Sequence, residues 1–482
     1  MTTCFFYDIE TTGLNKAFDQ VLQFAAIRTD MALNEIERHS IMIQLRPDVI
    51  ISPRALITHR ISISDTMNGL CEYEGIREIH RLMNEPGTIS LGYNTLGFDD
   101  EFLRFSFYRN LLPPYTHQYM DGCRRMDLLP ITTIYYLFKR GVLSWPEVSG
   151  RPTLKLEHLS SFNDLATGQA HDAMVDVKAT VELTRRLMKE KEMWGYLTAY
   201  FEKGMDRSRL KKLPVLFDST AGEHRYGLMI GTEFGYKQQF QSPVLSMGNS
   251  IPYSNQTLWL RLDQHNLRDT TDETIAENTW VIRKREGEPG IILPPSERYL
   301  NSLSQERREA VEDNSRWLQS HRELFQKIIQ YHREFSYAEI PDLDADAALY
   351  QAGFMSKDDE ALCRQYHEAS LVGKSEIASQ FSSRETCTLA RRLLGRNFKD
   401  ENCEEVAVDF DRFMRKINPA QECDALLDYK GEKRTTPSKA LAEITKLRSE
   451  AGLDWQQRQL LDELENDIKR KFPPVGAQGV LF

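Results

Sequence analysis

Three short stretches of this 482-residue chain place acids where metal-dependent chemistry would need them. Asp8-Ile9-Glu10 closes an apolar run over residues 4–9. On a strand, residues two apart project from the same face, so both carboxylates can meet one ion. Alone the triplet means little. With 71 acidic residues in the chain, acid-x-acid arises roughly ten times by chance. Its setting adds weight, because Thr11-Thr12-Gly13 turns the chain away at once and leaves the carboxylates open to a substrate. Phe98-Asp99-Asp100 follows a second apolar run and an Asn94-Thr95-Leu96-Gly97 turn, and opens a helical pattern over 99–110. A helix start favours an acid as cap, and two acids leave one spare. His171-Asp172-Ala173-Met174-Val175-Asp176 places a histidine in the loop before a long helix and an acid in its first turn.

Singly, these are a solvated strand end, a helix cap and a surface histidine. Their conjunction, in the order D-x-E, D, H-x4-D, points to one site. Hard divalent cations take several oxygen ligands, and Mg²⁺ keeps water and substrate phosphate in its shell. Two such ions about 4 Å apart stabilise both the attacking and the leaving oxygen of an in-line displacement at phosphorus. An imidazole with a pKa near ~6.5 suits removal of a proton from the attacking water.

The elements that must position these residues follow from periodicity. Residues 4–9, 25–30, 41–45 and 89–93 read as strands. Ala173, Val177, Thr180, Val181, Thr184 and Leu187 recur at helical spacing over 172–188. Strands interleaved with helices predict an α/β layer on a mixed sheet. The chain turns polar and basic near Lys203 to Leu213, then carries short alternating runs at 258–262 and 280–282, which predict a small β-rich domain. Leu318, Leu324, Ile328 and Ile329 mark helix, Pro341 and the acids after it mark a boundary, and the remainder is helical by pattern. The expected organisation is 1–202, 203–341 and 342–482, with residues 473–479 as a mobile tail.

Composition narrows the class. Net charge is −10, from 61 basic and 71 acidic residues, which disfavours a protein that coats duplex DNA but allows a local basic groove. The seven cysteines form no C-x-x-C and are odd in number, which predicts reduced thiols rather than a disulfide frame or zinc knuckle. No signal peptide and no stretch of 18 uncharged apolar residues is evident, so a cytoplasmic protein without a membrane span is expected.

On these motifs the chain resembles the DEDDh group of the DnaQ-like, RNase H-fold 3′→5′ exonucleases, and within it the bacterial exodeoxyribonuclease I family. Further strings carry the likeness: Leu91-Gly92-Tyr93-Asn94, Phe107-Tyr108-Arg109-Asn110, Leu154-Lys155-Leu156-Glu157-His158-Leu159, and, far along the chain, Leu349-Tyr350-Gln351-Ala352-Gly353-Phe354 and Arg396-Asn397-Phe398. Thr58-His59-Arg60-Ile61-Ser62 departs from the family pattern, where an altered turn is expected.

The resemblance implies an RNase H-like exonuclease domain, then an SH3-like β-rich domain, then an α-helical C-terminal domain. It implies hydrolysis of single-stranded DNA to 5′-mononucleotides, processively, in repair and recombination, by a bacterial monomer. Asp8, Glu10 and Asp176 would hold one Mg²⁺; Asp8 and Asp99 would serve a second, with Mn²⁺ an acceptable substitute. His171 would be the general base. Glu10, Lys155, Arg104 and Lys203 would contact the strand, and Tyr115 and Tyr119 would stack its bases. The family also binds the acidic C-terminal tail of single-stranded DNA-binding protein, for which Lys139, Arg140 and Arg298 are candidates. An RNA 3′-exonuclease of the same fold stays open, since one 2′-OH contact decides the sugar, as does a non-catalytic scaffold.

Overall fold

The structure is a computed structural model that describes residues 1–168, 171–398, 403–450 and 452–473; most of the expected mobile tail lies outside them. The first sheet holds β1 (Thr3–Thr11), β2 (Val21–Thr29), β3 (Glu35–Met42), β4 (Thr88–Gly92) and β5 (Arg124–Asp127) in the order β3-β2-β1-β4-β5. β1–β2 and β2–β3 pair antiparallel, whereas β1–β4 and β4–β5 pair parallel. The mixed sheet expected from the sequence is present.

Alternation along β1 builds both layers. Phe5, Tyr7 and Ile9 pack with Phe24 and Ala26 against helices α1 (Glu72–Met83) and α2 (Asp99–Arg109). Cys4 and Phe6 pack on the other face with Ala25 and Ile27, α3 (Leu128–Phe138) and α5 (Ala173–Leu187). Asp8 and Glu10 share the parity of Phe6, so the strand aims both towards α5. The helical spacing read over 172–188 is the buried face of α5, with Val177, Thr180, Val181, Thr184 and Leu187 all buried. Leu183 is wholly buried there too, and truncating it to alanine would cost about 2–5 kcal/mol. Between α3 and α5 lies α4 (Leu156–Asn163).

One expected strand shifts. The run at 41–45 is the exit of β3, which starts earlier at Glu35. β3 is the sheet's edge and half exposed, so its early part lacks the apolar density that marks a buried strand. Ile43 only bridges to Leu70 beyond it.

After α6 (Lys203–Lys211) comes an antiparallel sheet of six strands: β6 (Val215–Ser219), β7 (Gly222–Ile230), β8 (Gln241–Asn249), β9 (Gln256–Arg261), β10 (Val281–Arg285) and β11 (Ile291–Leu293). The order is β10-β9-β8-β7-β11, with β6 also on β7. β9 and β10 answer the alternating runs at 258–262 and 280–282. Leu228, Ile230, Ile291 and Leu293 of this sheet join the same apolar cluster as Leu128 and Leu187 of the first unit. Helices α7 (Gln305–Ser320) and α8 (Arg322–Glu334) cover its other side through Leu318, Phe325, Ile328 and Ile329.

The last third is helical, as its pattern indicates: α9 (Lys357–Glu368), α10 (Leu371–Ala378), α11 (Arg384–Asn397), α12 (Glu404–Lys416), α13 (Pro437–Ser449) and α14 (Trp455–Lys471). Phe410, Phe413 and Leu461 share a cluster with Phe18, Leu56 and Phe105 near the N-terminus. The chain therefore folds back on its first unit. At the 58–62 departure, a short helix (Pro53–His59) ends on Arg60 in the left-handed region, φ 61°, an abrupt turn between two helices. No helix among the described residues is long and apolar enough to cross a membrane.

Candidate active site and strand cleft

Four carboxylates and one imidazole converge at the end of β1. Asp8 faces Ala25 and Glu10 faces Gln23 across the β1–β2 pair, and the register shifts immediately after Glu10. Ala25 is small and leaves room beside Asp8. Gln23 accepts a hydrogen bond from the Ala173 backbone N–H at 3.4 Å, which ties the start of α5 to this part of the sheet. On the other side β4 pairs with β1 only as far as Phe6. Beyond it, the Ile9 N–H donates to the Asp99 carboxylate at 3.3 Å, bringing α2 against the Asp8–Glu10 strand. The two motifs, 90 residues apart in sequence, thus meet through one backbone donor.

His171 and Asp176 are placed by the entry to α5. Asp172 is the helix N-cap and accepts from the backbone N–H groups of Met174 and Val175. Capping thus falls to Asp172 and leaves Asp176 free in the first turn. His171 has φ 63°, in the left-handed region. Its backbone N–H bonds to the Asp176 carboxylate. Ligand atoms of Glu10, His171 and Asp176 lie within 4.8 Å of one another.

The electrostatics show what this cluster lacks. Burial pushes the Asp8 carboxyl far above the carboxylate range, and Asp99, Glu10 and Asp176 push it further. Glu10 is raised to about 9 by burial, then by Asp176 and Asp99. Asp99 is raised to about 8, chiefly by burial, despite the Ile9 N–H. Asp176 is raised to about 6 by burial, against the pull of His171. The charges acting on Asp8 and Glu10 are those of other acids. Such a hard-oxygen set fits a divalent cation, whose binding would displace the protons.

Asp100 departs from the simple capping expectation. Phe98 holds the cap position of α2 and offers no side-chain cap. Asp100 is fully buried and pairs with Arg125 at 2.6 Å, His117 at 2.9 Å and Arg104 at 3.1 Å. Burial opposes its ionisation, but Arg125 and His117 outweigh it, so its carboxyl sits well below the usual range. Asp99 and Asp100, adjacent in sequence, are therefore driven in opposite directions.

A cleft of about 2110 Å³ is walled by all three parts of the chain; Glu101 and Arg104 of α2 line it, whereas Asp8, Glu10, Asp99, His171 and Asp176 do not. Arg104, Tyr115 and Tyr119 line it from the first unit, and Lys203 and Arg207 from α6. Trp259 and Arg285 line it from the second sheet, and Tyr350, Phe354 and Tyr429 from the helical part. Phe354 is 98% exposed and Tyr119 62%, so neither serves the core. Basic side chains interleaved with exposed rings suit a single strand, whose phosphates and base faces both find partners. Glu101, two residues after Asp99, joins the walls. It pairs with Lys16 and accepts hydrogen bonds from Tyr350 Oη at 2.8 Å and Tyr429 Oη at 3.1 Å.

Four of the expected strand contacts, Arg104, Tyr115, Tyr119 and Lys203, therefore share one cleft. Arg104 reaches it 8% exposed and already paired with Asp100, so it is not the free phosphate cation the sequence suggests. Lys155 stands elsewhere, exposed and 3.4 Å from Glu157, whose carboxylate also lies 3.2 Å from the His171 ring. Lys139, Arg140 and Arg298 are exposed. Lys139 pairs with Glu190 at 2.9 Å, Arg140 lies over the Tyr136 ring, and Arg298 lies over Tyr299, which packs edge-on against Phe138. They form a separate surface where the end of α3 meets the segment after β11.

Sequence reasoning missed Glu157, Glu101 and the ring of Tyr429; Trp259, though it borders the cleft, is buried in the core of the second sheet. Glu157 lay inside the Leu-Lys-Leu-Glu-His-Leu string, and Tyr350 and Phe354 lay inside Leu-Tyr-Gln-Ala-Gly-Phe, so both strings held the signal. Nothing local marks Tyr429.

Residues 5–184 match the family model described as an exonuclease. The chain is similar to exodeoxyribonuclease I of Haemophilus influenzae, 34% identical over 212 residues, which is 43% of this chain and 44% of the relative. It is 35% identical over 206 residues to that of Escherichia coli, 42% of this chain and 43% of the relative. The aligned part thus spans under half the length of these curated relatives. In three dimensions the likeness reaches further. E. coli exonuclease I in complex with a dA16 oligonucleotide superposes with a TM-score of 0.80 at 24% identity, covering 98% of this chain and 100% of that one. The first unit is thus similar to an exonuclease domain, and the whole chain shares the fold of exonuclease I.

Proposed function

We propose that this protein is a 3′→5′ exonuclease that digests single-stranded DNA, carried above all by the convergence of Asp8, Glu10, Asp99 and Asp176 without a balancing cation. The exonuclease family match, the sequence similarity to exodeoxyribonuclease I and the shared fold with an oligonucleotide-bound relative support the reading. Asp8, Glu10 and Asp176 would hold one divalent ion, and Asp8 and Asp99 would serve a second; Mg²⁺ fits the all-oxygen set, with Mn²⁺ as substitute. When bound, the ions supply charge stabilisation at the phosphate.

The protein's own groups do the rest. His171 takes a proton from water, whose oxygen bonds to the terminal phosphorus as the bond to the 3′-oxygen breaks. The 3′-oxygen leaves, taking up a proton from solvent, and a 5′-mononucleotide is released. Lys155 neutralises phosphate near the end of the strand. Tyr115, Tyr119 and Lys203 hold upstream nucleotides in the cleft, with Arg104 behind them. The three segments 1–202, 203–341 (its sheet read as SH3-like) and 342–482 enclose the strand. That enclosure favours processive digestion and excludes duplex, which suits repair and recombination. The seven cysteines are free thiols, as a reducing cytoplasm keeps them. Lys139, Arg140 and Arg298 offer a surface for an acidic protein tail, such as that of single-stranded DNA-binding protein.

DNA and RNA oligonucleotides labelled at either end, resolved on a gel, test the reading. The expected result is stepwise loss from the 3′ end of DNA, abolished by EDTA and by a blocked 3′ end. Digestion that persists in excess chelator, or that starts at the 5′ end, removes it. Faster loss of RNA would instead assign the same fold to RNA.

A further inference from the structure

The carboxylate of Glu157 gathers three cationic or imidazole side chains: Lys155 Nζ at 3.4 Å, His158 Nε2 at 3.4 Å and His171 Nε2 at 3.2 Å. The last contact bears on catalysis. His171 is held at two points, its backbone N–H by Asp176 and its ring beside Glu157. The ring therefore lies close both to the metal-type carboxylates and to the carboxylate of Glu157. Ligand atoms of Glu10, Asp176 and the imidazole lie within 4.8 Å of one another, so an unrestrained ring could itself become a ligand to the cation. A base must instead keep one nitrogen protonated and aimed away, with the other lone pair presented to water.

Resting on the reading of His171 as general base, we propose that Glu157 is its positioning residue. Glu157 holds the proton on Nε2, leaves Nδ1 as the acceptor for the water proton, and stabilises the imidazolium formed when that proton arrives. The logic is that of a base oriented by a third group. Glu157 sits in the first turn of α4 with its side chain 27% exposed. An acid there would also suit the helix dipole, so the test must separate orientation from helix stability. Lys155 and His158 share the carboxylate, and a phosphate bound by Lys155 would draw that amine away from Glu157.

Glu157→Ala, Glu157→Gln and His171→Ala should be compared by steady-state hydrolysis of an oligonucleotide. The ¹⁵N signals of the His171 ring should be read by NMR in the metal-free parent and in each Glu157 variant. The expected loss in kcat for Glu157→Ala is about 10-fold to 100-fold, part of the 10²–10⁴ a base supplies, with KM within about twofold. Glu157→Gln, which keeps a neutral acceptor and the helix, should fall between Ala and the parent. The ring should shift from the Nε2–H tautomer towards a mixture in Glu157→Ala. If His171→Ala loses activity while both Glu157 variants keep kcat within about twofold and the tautomer is unmoved, Glu157 has no such role. If His171→Ala is itself active, the base assignment falls instead.

Discussion

Asp48, Glu72, Asp344 and Asp346 are withdrawn from water more completely than Asp8, Glu10 and Asp176 at the end of β1, yet each of them faces arginine. Arg46 pairs with Glu72 at 2.9 Å and Asp48 at 3.1 Å. Arg396 bridges Asp48 at 3.0 Å and Asp346 at 2.5 Å, joining the first unit to the helical one. Arg392 meets Asp344 at 2.5 Å, and Arg434 meets Asp48 at 3.3 Å. Burial opposes ionisation in both clusters. In the network the arginines outweigh it, and Asp48, Glu72 and Asp346 are held below the carboxylate range. At the candidate site no arginine among the described residues plays this part, and Asp8, Glu10 and Asp99 are raised. The same residue types thus do two things. Paired acids join parts of the chain, and the unpaired acids would suit a cation that the protein does not itself supply.

The largest test removes a member of the unpaired set. Asp176→Ala should lower kcat on single-stranded DNA by at least about 10³-fold, the scale for removing a key electrostatic group. Oligonucleotide binding, read by fluorescence anisotropy, should survive. A variant within tenfold of the parent would take Asp176 out of the site.

Next comes the paired set. Arg396→Met leaves Asp48 and Asp346 buried with fewer partners and should cost about 3–5 kcal/mol, read as a lower denaturation midpoint in urea. Replacing Asp346 and Arg396 together by apolar residues should cost much less. Equal losses in the single and double variants would show that packing, not unpaired charge, sets the penalty.

pH separates the clusters by sign. The site acids bind protons more tightly folded than unfolded, where carboxyls titrate near ~4. Between that value and about 8 to 9, the values for Asp99 and Glu10, rising pH therefore lowers the stability of the metal-free protein. The network acids have depressed folded values, so their contribution is present above ~4 and lost only as pH falls below it. In EDTA, Tm should drop by about 2–4 °C from pH 6 to pH 8.5. Asp99→Asn should flatten the drop, and Mg²⁺ should raise Tm more at pH 8.5 than at pH 6. A metal-free Tm that rises over this range would contradict the unpaired state.

The smallest effect concerns the cleft. Tyr119→Ala should weaken oligonucleotide binding by about 1–3 kcal/mol, the value of one stacked base, with kcat at saturation unchanged. Unaltered affinity would place the strand on another wall.

Sequence alone determined the local pieces of this protein. Alternation along β1 set the parity of Asp8 and Glu10, and the spacing over 172–188 set the buried face of the helix that carries Asp176. Both are short-range consequences of backbone geometry, so they can be read without a fold. The mixed sheet and the helical final third were legible for the same reason. Tertiary structure decided what each acid faces. Asp99 and Asp100 are neighbours in an identical local context, yet one meets the Ile9 N–H and other acids, and the other meets Arg104, Arg125 and His117. Asp48 looks like a loop acid in sequence, but its partners Arg396 and Arg434 lie 348 and 386 residues away. Ionisation depends on charges within a few ångströms and on exclusion of water, and both are properties of the folded chain. The partition of these acids into unpaired and paired sets was therefore made by tertiary contacts, some within the first unit and some with the helical part that folds back on it.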